Sequence, residues 1–218
     1  MTDPVIAADD AARTAAKALQ DRALTADEAT LQLLFHQART HYGWQDRDVS
    51  DDSLRALYEI AKMGPTSMNQ QPMRVLFIRS EDAKDRLEPC LFEGNRPKMR
   101  TAPVTAIVAY DLNFWEELPK LFPPNPEASD IFRNNATAAQ VNAFRNGTLQ
   151  GAYFMLAARA VGLDVGAMSG FDNAKVDEEF FHGTSIKSNF LVNLGYADTS
   201  KIFRRLPRLG YESVCETL

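Results

Sequence analysis

Cysteine is scarce in this chain. Cys90 and Cys215 are its only two, they lack CxxC spacing, and they are expected to be reduced thiols in a cytoplasmic protein rather than a disulfide framework. His36, His41 and His182 show no metal-ligand spacing with cysteines or acid clusters, so no metal site is expected. Neither GxGxxG nor GxxxxGK[ST] occurs, which removes the Rossmann fingerprint and the P-loop. In Gly166-Ala167-Met168-Ser169-Gly170 the serine falls one place late for a nucleophile elbow, which leaves a hydrolase reading little support. No apolar run approaches the roughly 18 residues that span a bilayer, and the acidic N-terminal stretch has no continuous apolar segment, so neither a membrane span nor a signal peptide is expected. Excess basic charge is missing too: the net charge is −5, which argues against a nucleic-acid partner. A chain without a nucleophile, a metal set or a base-rich cluster has to borrow its reactivity, and that favours a cofactor.

The 218 residues, 45% hydrophobic and 24% charged, suffice for one globular domain with a substantial core. Charge is uneven along them. Residues 1–30 hold six acids against three bases, whereas residues 197–208 hold Lys201, Arg204, Arg205 and Arg208 against Asp198 alone. Such a basic tail on an acidic protein can hold a phosphate, or can be a solvated charged surface. Residues 1–24 are Ala-rich with only a weak apolar stripe, and read as a helical extension ahead of a domain spanning 25–218.

Thr25-Ala26-Asp27-Glu28 reads as a capping box for a helix running to about Arg39, with Leu31, Leu34 and Phe35 inward. Ser50 is expected to cap the next helix. Strands are expected at 74–79, 104–110, 164–168 and 189–194. Helices are expected after Ser80, over 136–161 and over 174–180, with Gly162 ending the long one. Its small residues, Ala139, Ala143, Gly147 and Gly151 among them, suit close helix approach in a core or a dimer seam. Between 111 and 135 four prolines exclude long regular structure, and this aromatic-rich insertion is either a lid or a packed surface excursion. The order of elements implies an α+β, three-layer fold around a mixed sheet.

The most informative stretch is Gly64-Pro65-Thr66-Ser67-Met68-Asn69-Gln70-Gln71-Pro72. Gly64 suits a left-handed helix C-terminus, and Pro65 stops the helix. Residues 66–71 then form a polar loop of hydroxyls and amides between a helix and a strand. Taken alone it is an ordinary connection, or a grip for a polar or phosphorylated cofactor. It resembles the Pro-Ser-Ser-x-Asn-x-Gln-Pro signature of the FMN-dependent nitroreductase family, with Thr66 in place of the first serine, and the resemblance runs from about Leu31 to the C-terminus. Ala38-Arg39-Thr40-His41-Tyr42-Gly43-Trp44, Met168-Ser169-Gly170-Phe171-Asp172 and Arg205-Leu206-Pro207-Arg208-Leu209 resemble the malonic semialdehyde reductase branch linked to pyrimidine degradation.

The resemblance implies a nitroreductase-like homodimer, intertwined, with FMN at the subunit interface and NADH or NADPH as electron donor. Arg39 and Thr40 match positions that contact the phosphate and ribityl chain, although Ala38 stands where the family commonly has a second basic residue. Arg205 matches a phosphate-binding arginine, with Lys201 as helper. Thr66, Ser67, Asn69 and Gln71 match a segment reaching FMN from the neighbouring subunit. Met73 and Arg74 follow Gln-Pro where the family usually has an aromatic. Asn95 and Lys98 match positions on the pyrimidine edge of the flavin, where a cation favours the anionic reduced ring. Met168, Ser169 and Gly170 match the loop whose amides approach N5 and O4, with Ser169 where many members carry glutamate.

The implied chemistry is ping-pong hydride transfer on FMN N5, with no catalytic side chain and no metal. The expected acceptor is a small aldehyde acid such as malonic semialdehyde, reduced to 3-hydroxypropionate, with Arg74 and Arg145 as candidate anchors. The alternatives are a broad nitroarene or quinone reductase, a flavin-binding protein without useful turnover, and a cofactor-free helical interaction protein.

Overall fold

A computed structural model of the protein describes residues 4–22 and 25–218. The chain divides into two compact units, Met1–Ala38 and Arg39–Leu218. The first holds α1 (Pro4–Asp21) and α2 (Glu28–Leu31), the latter continued by a π-helical turn over Gln32–His36. Its cap is Asp27 rather than the expected Thr25 box: the carboxylate accepts the Thr30 amide at 2.8 Å, so the helix starts later. The wider π turn, closed by Gln37 N–H to Gln32 O, ends it at His36 instead of Arg39. Phe35, expected inward, is 52% exposed.

The second unit contains the remaining helices, α3 (Asp51–Ala61), α4 (Glu81–Leu87), α5 (Arg96–Thr101), α6 (Leu118–Leu121), α7 (Ser129–Arg133), α8 (Ala136–Ala160) and α9 (Asn173–Phe181). Its strands are β1 (Met73–Ile78), β2 (Val104–Asp111), β3 (Asp164–Met168) and β4 (Ile186–Gly195). Ser50 caps α3 as expected, accepting the Ser53 amide. α8 gives way two residues past Ala160 to Gly162, whose φ of 81° a side chain would resist.

The strands pair in the order β1-β2-β4-β3. The expected mixed sheet is antiparallel in all three ladders; among the described residues, parallel pairing enters only at the isolated bridge Thr40–Val165. Alternation along the strands sends side chains to two faces. Val104, Ala106, Val108, Val192 and Leu194 meet Leu54 and Leu57 of α3 and Phe154 of α8 on one face. Ile107, Ala109, Leu191 and Met168 meet Leu87, Met99 and Val176 on the other. The sheet is thus the middle of three layers, with α3 and α8 on one side and α4, α5 and α9 on the other.

The small residues of α8 serve this helix-to-sheet contact. A Cβ on Gly151 would fall 2.5 Å from the Phe190 ring, and one on Gly147 would fall 2.9 Å from Tyr110 Cβ. The 111–135 insertion has its own cluster, with Phe114, Leu118, Ala128 and Phe132 packed on Ala139 and Ala143 of α8. No helix among the described residues is long and apolar enough to cross a membrane.

Candidate cofactor site

The 64–72 loop is built differently from the sequence expectation. α3 stops at Ala61, three residues before Gly64, and Gly64 is not left-handed. A glycine is required there because a Cβ would fall 2.6 Å from Tyr153 Cγ. The left-handed residues lie further on: Met68, Asn69 and Gln71 have φ of 49°, 51° and 44°. Asparagine tolerates this region; for methionine and glutamine it costs on the order of 1–3 kcal/mol each, and it persists where surrounding contacts impose it.

Those contacts are explicit. Thr66 Oγ1 accepts the Gln71 amide at 3.2 Å, and Asn69 Oδ1 accepts Gln71 Nε2 at 2.9 Å. Asn69 Nδ2 donates to the Leu121 carbonyl at 2.8 Å, tying the loop to the insertion. The Ser67 amide donates to Asn146 Oδ1 at 2.9 Å; past the left-handed turn, at the first residue of β1, Met73 N–H donates to Gln150 Oε1 at 2.9 Å. Asn146 and Gln150 are buried and one turn apart on α8. Sequence patterning gives little sign of either, since each stands directly before a glycine, Gly147 or Gly151, in a small-residue helix. The available signal was polar residues at i and i+4 on an otherwise small, core-facing stripe.

A cavity of about 160 Å³ opens beside the loop, lined by Tyr58, Gln70, Gln71, Arg74, Glu117 and Gln150. Arg74 donates to the Gln71 and Met73 carbonyls and pairs with Asp111 at 2.8 Å. Arg145 is exposed on α8.

A second set of residues gathers beyond β3. The Gly170 carbonyl accepts both Phe92 N–H and Asn95 Nδ2, each at 3.0 Å. Asn95 Oδ1 accepts Lys98 Nζ at 2.9 Å, and that ammonium sits 4.8 Å from the Tyr42 ring centroid. Tyr42 meets Phe203 edge-on at 5.2 Å, and the Arg39 guanidinium donates to the Phe203 carbonyl. Lys201 lies over Gly43, where a Cβ would fall 2.4 Å from its Cδ, and its ammonium is 3.7 Å from Asp198. Arg205 is close enough to Arg159 to help hold it below the usual arginine range, after burial and against Asp164. Thr40 and Ser169 are exposed. The Met168 side chain points inward, its sulfur accepting Asn193 Nδ2 at 3.6 Å, so only its backbone faces outward chemistry.

The two sets stand apart within one chain. The loop leads into β1 and is fastened to α8; the second set adjoins β3 and α5. These are opposite edges of the sheet, three strand spacings or about 14 Å apart, and opposite faces.

The sequence profile of the nitroreductase family matches residues 36–196, most of the chain and all four strands. The chain belongs to the nitroreductase family. Solved structures agree on the fold. A protein assigned to the nitroreductases from Exiguobacterium sibiricum, solved in complex with FMN, is 21% identical over 89% of this chain and 99% of its own, with a TM-score of 0.78. CLA-ER, an enone reductase of gut-bacterial fatty acid saturation, is 16% identical over 89% and 100%, with a TM-score of 0.76. A protein assigned as an NAD(P)H:FMN oxidoreductase from Staphylococcus epidermidis is 18% identical over 89% and 98%, with a TM-score of 0.74.

Proposed function

We propose that this nitroreductase-family chain is an FMN-dependent oxidoreductase that draws electrons from NADH or NADPH. The observation that carries the reading is the convergence of Arg39, Asn95, Lys98, Gly170 and Lys201, from separate stretches of sequence, on one partly exposed surface. That surface suits the cofactor chemically. Arg39, Lys201 and Arg205 supply cations for a phosphate, and a guanidinium can grip two oxygens at once. Gly170 lets backbone approach closely, and the Lys98 ammonium offers positive charge for a flavin's polar edge. When bound, FMN supplies a ring that accepts hydride from the nucleotide and returns it to the acceptor in alternation. The chain's residues bind, orient and exclude water; no side chain is consumed.

A second copy of the chain completes the site in this reading. One protomer presents its loop (Thr66, Ser67, Asn69, Gln71) on one sheet face and its basic set beyond the far edge, so a single copy does not bring them together. Val141, Phe144, Leu149 and Tyr153 form an exposed stripe on α8. Phe203, Leu206, Leu209, Tyr211 and Val214 are apolar or aromatic side chains exposed along the charged C-terminal tail. Apolar surface of that extent suits burial against a partner.

The proposed acceptor is a small aldehyde acid such as malonic semialdehyde, in keeping with the branch resemblance. Arg74 and Arg145 are the candidate anchors. The Asp111 pair and two carbonyls already engage Arg74, so Arg145 is the less committed cation of the two. The competing acceptor class is a nitroarene or quinone. Turnover of the aldehyde acid and of a neutral nitroarene, under identical conditions with wild type and with both arginines replaced, decides between them. Loss confined to the acid supports the anchor; unchanged turnover of the acid refutes it.

A further inference from the structure

Asn146 is 2% exposed, and its contacts allow one orientation of its amide. The Ser67 backbone N–H can only donate, so the atom it meets at 2.9 Å is Oδ1. The Asn142 carbonyl can only accept, so the atom 2.9 Å from it is Nδ2. Nδ2 also faces Gln70 at 3.0 Å, so Gln70 must present Oε1 there. Gln70 is fully buried, and its Nε2 is consequently turned away with no protein partner. A fixed chain of amides therefore runs from α8 into the loop, grasping it on both sides of left-handed Met68 and Asn69.

We infer that Asn146 is a positioning residue for the cofactor: by holding Ser67 and Gln70 it fixes the left-handed conformation in which Thr66 and Asn69 face FMN. The inference rests on the proposed FMN reading. Gln150 is the internal comparison. It is equally buried, one turn along the same helix, and bonds β1 through Met73 instead of the loop.

The experiment titrates apoprotein into FMN, follows quenching of flavin fluorescence, and records thermal midpoints without FMN. Asn146→Ala is expected to weaken FMN binding about tenfold or more. Asn146→Asp is expected to weaken it as well: its carboxylate still accepts the Ser67 amide, but the second oxygen would face the Asn142 carbonyl, which can only accept. Gln150→Ala is expected to lower the midpoint comparably while leaving FMN affinity within about twofold. Should Asn146→Ala not fold, Gln70→Leu carries the test: it removes an unsatisfied buried donor, so stability holds, while FMN affinity drops severalfold. FMN affinity unchanged in Asn146→Ala or Gln70→Leu, or an equal loss in Gln150→Ala, overturns the positioning role and leaves the FMN reading standing. Wild type that does not bind FMN overturns the reading itself.

Discussion

The Asn95 amide donates to the Gly170 carbonyl at 3.0 Å, and a Cβ on residue 170 would fall 2.5 Å from that same amide nitrogen. Glycine is demanded by this neighbour, not by backbone conformation, since Gly170 does not have positive φ. Gly170→Ala is therefore expected to displace Asn95 and, through it, Lys98. FMN affinity should fall about tenfold with only a modest loss of stability, on the order of 1 kcal/mol, because the site is partly exposed. Flavin fluorescence titration beside denaturant unfolding checks both parts.

Lys98 is held by Asn95 on one side and the Tyr42 ring on the other. Lys98→Met keeps the aliphatic stem and removes the charge. If the ammonium favours the reduced flavin, the anaerobic rate of reduction by NADH or NADPH should fall by about tenfold or more, with the thermal midpoint nearly unchanged. Stopped-flow absorbance measures the rate.

Gly166 is a structural counterpart. A Cβ there would fall 2.6 Å from the His41 backbone oxygen and 2.9 Å from the Trp44 ring, both in the segment that carries Arg39 and Thr40. Backbone cannot yield as a flexible side chain does, so Gly166→Ala should cost roughly 2 kcal/mol or more. Urea unfolding of the two proteins gives the difference.

His41 sets a pH dependence. Its Nε2 lies 3.3 Å from Asp164, but burial pushes its pKa below 6.5, with Arg159 and Arg39 acting in the same direction against Asp164. The folded protein thus takes up this proton less readily than the unfolded chain. The resulting stability is present above about pH 6.5 and is lost as pH falls toward the folded-state pKa. Unfolding free energies measured from about pH 7.5 down to about pH 5.5 should decline in wild type and decline less in His41→Gln.

The loop adjoins one edge strand of the sheet and the second set the other, so mixing of protomers is informative. Asn69→Ala damages the loop and Lys98→Met damages the second set. If each site draws one set from each protomer, mixed dimers carry one undamaged site, and subunit exchange should restore activity to roughly a quarter of wild type. Activity that stays at the level of the separate variants contradicts a shared site.

The strands and long helices were legible because their patterns are long and uninterrupted. Val104–Asp111 is apolar over most of its length and pairs on both sides, and Gly162 marked the end of α8. What failed was local. Thr25 and Asp27 are both good caps, and only the observed Asp27–Thr30 bond chooses between them. Gly64 carried the expected left-handed turn on residue type, whereas packing against Tyr153 explains it and Met68, Asn69 and Gln71 take the turn instead. The antiparallel order of the strands depends on crossovers that periodicity does not encode. Asn146 was invisible because a lone amide in a helix reveals its role only once Ser67 and Gln70, far away in sequence, are seen against it.

The visible absorption spectrum of the purified protein, before and after anaerobic addition of NADH and then NADPH, tests the central claim most directly. A flavin spectrum that bleaches with one or both nucleotides is the predicted result, and it identifies the donor. A protein that stays colourless even after FMN is supplied contradicts the cofactor assignment and the reaction built on it.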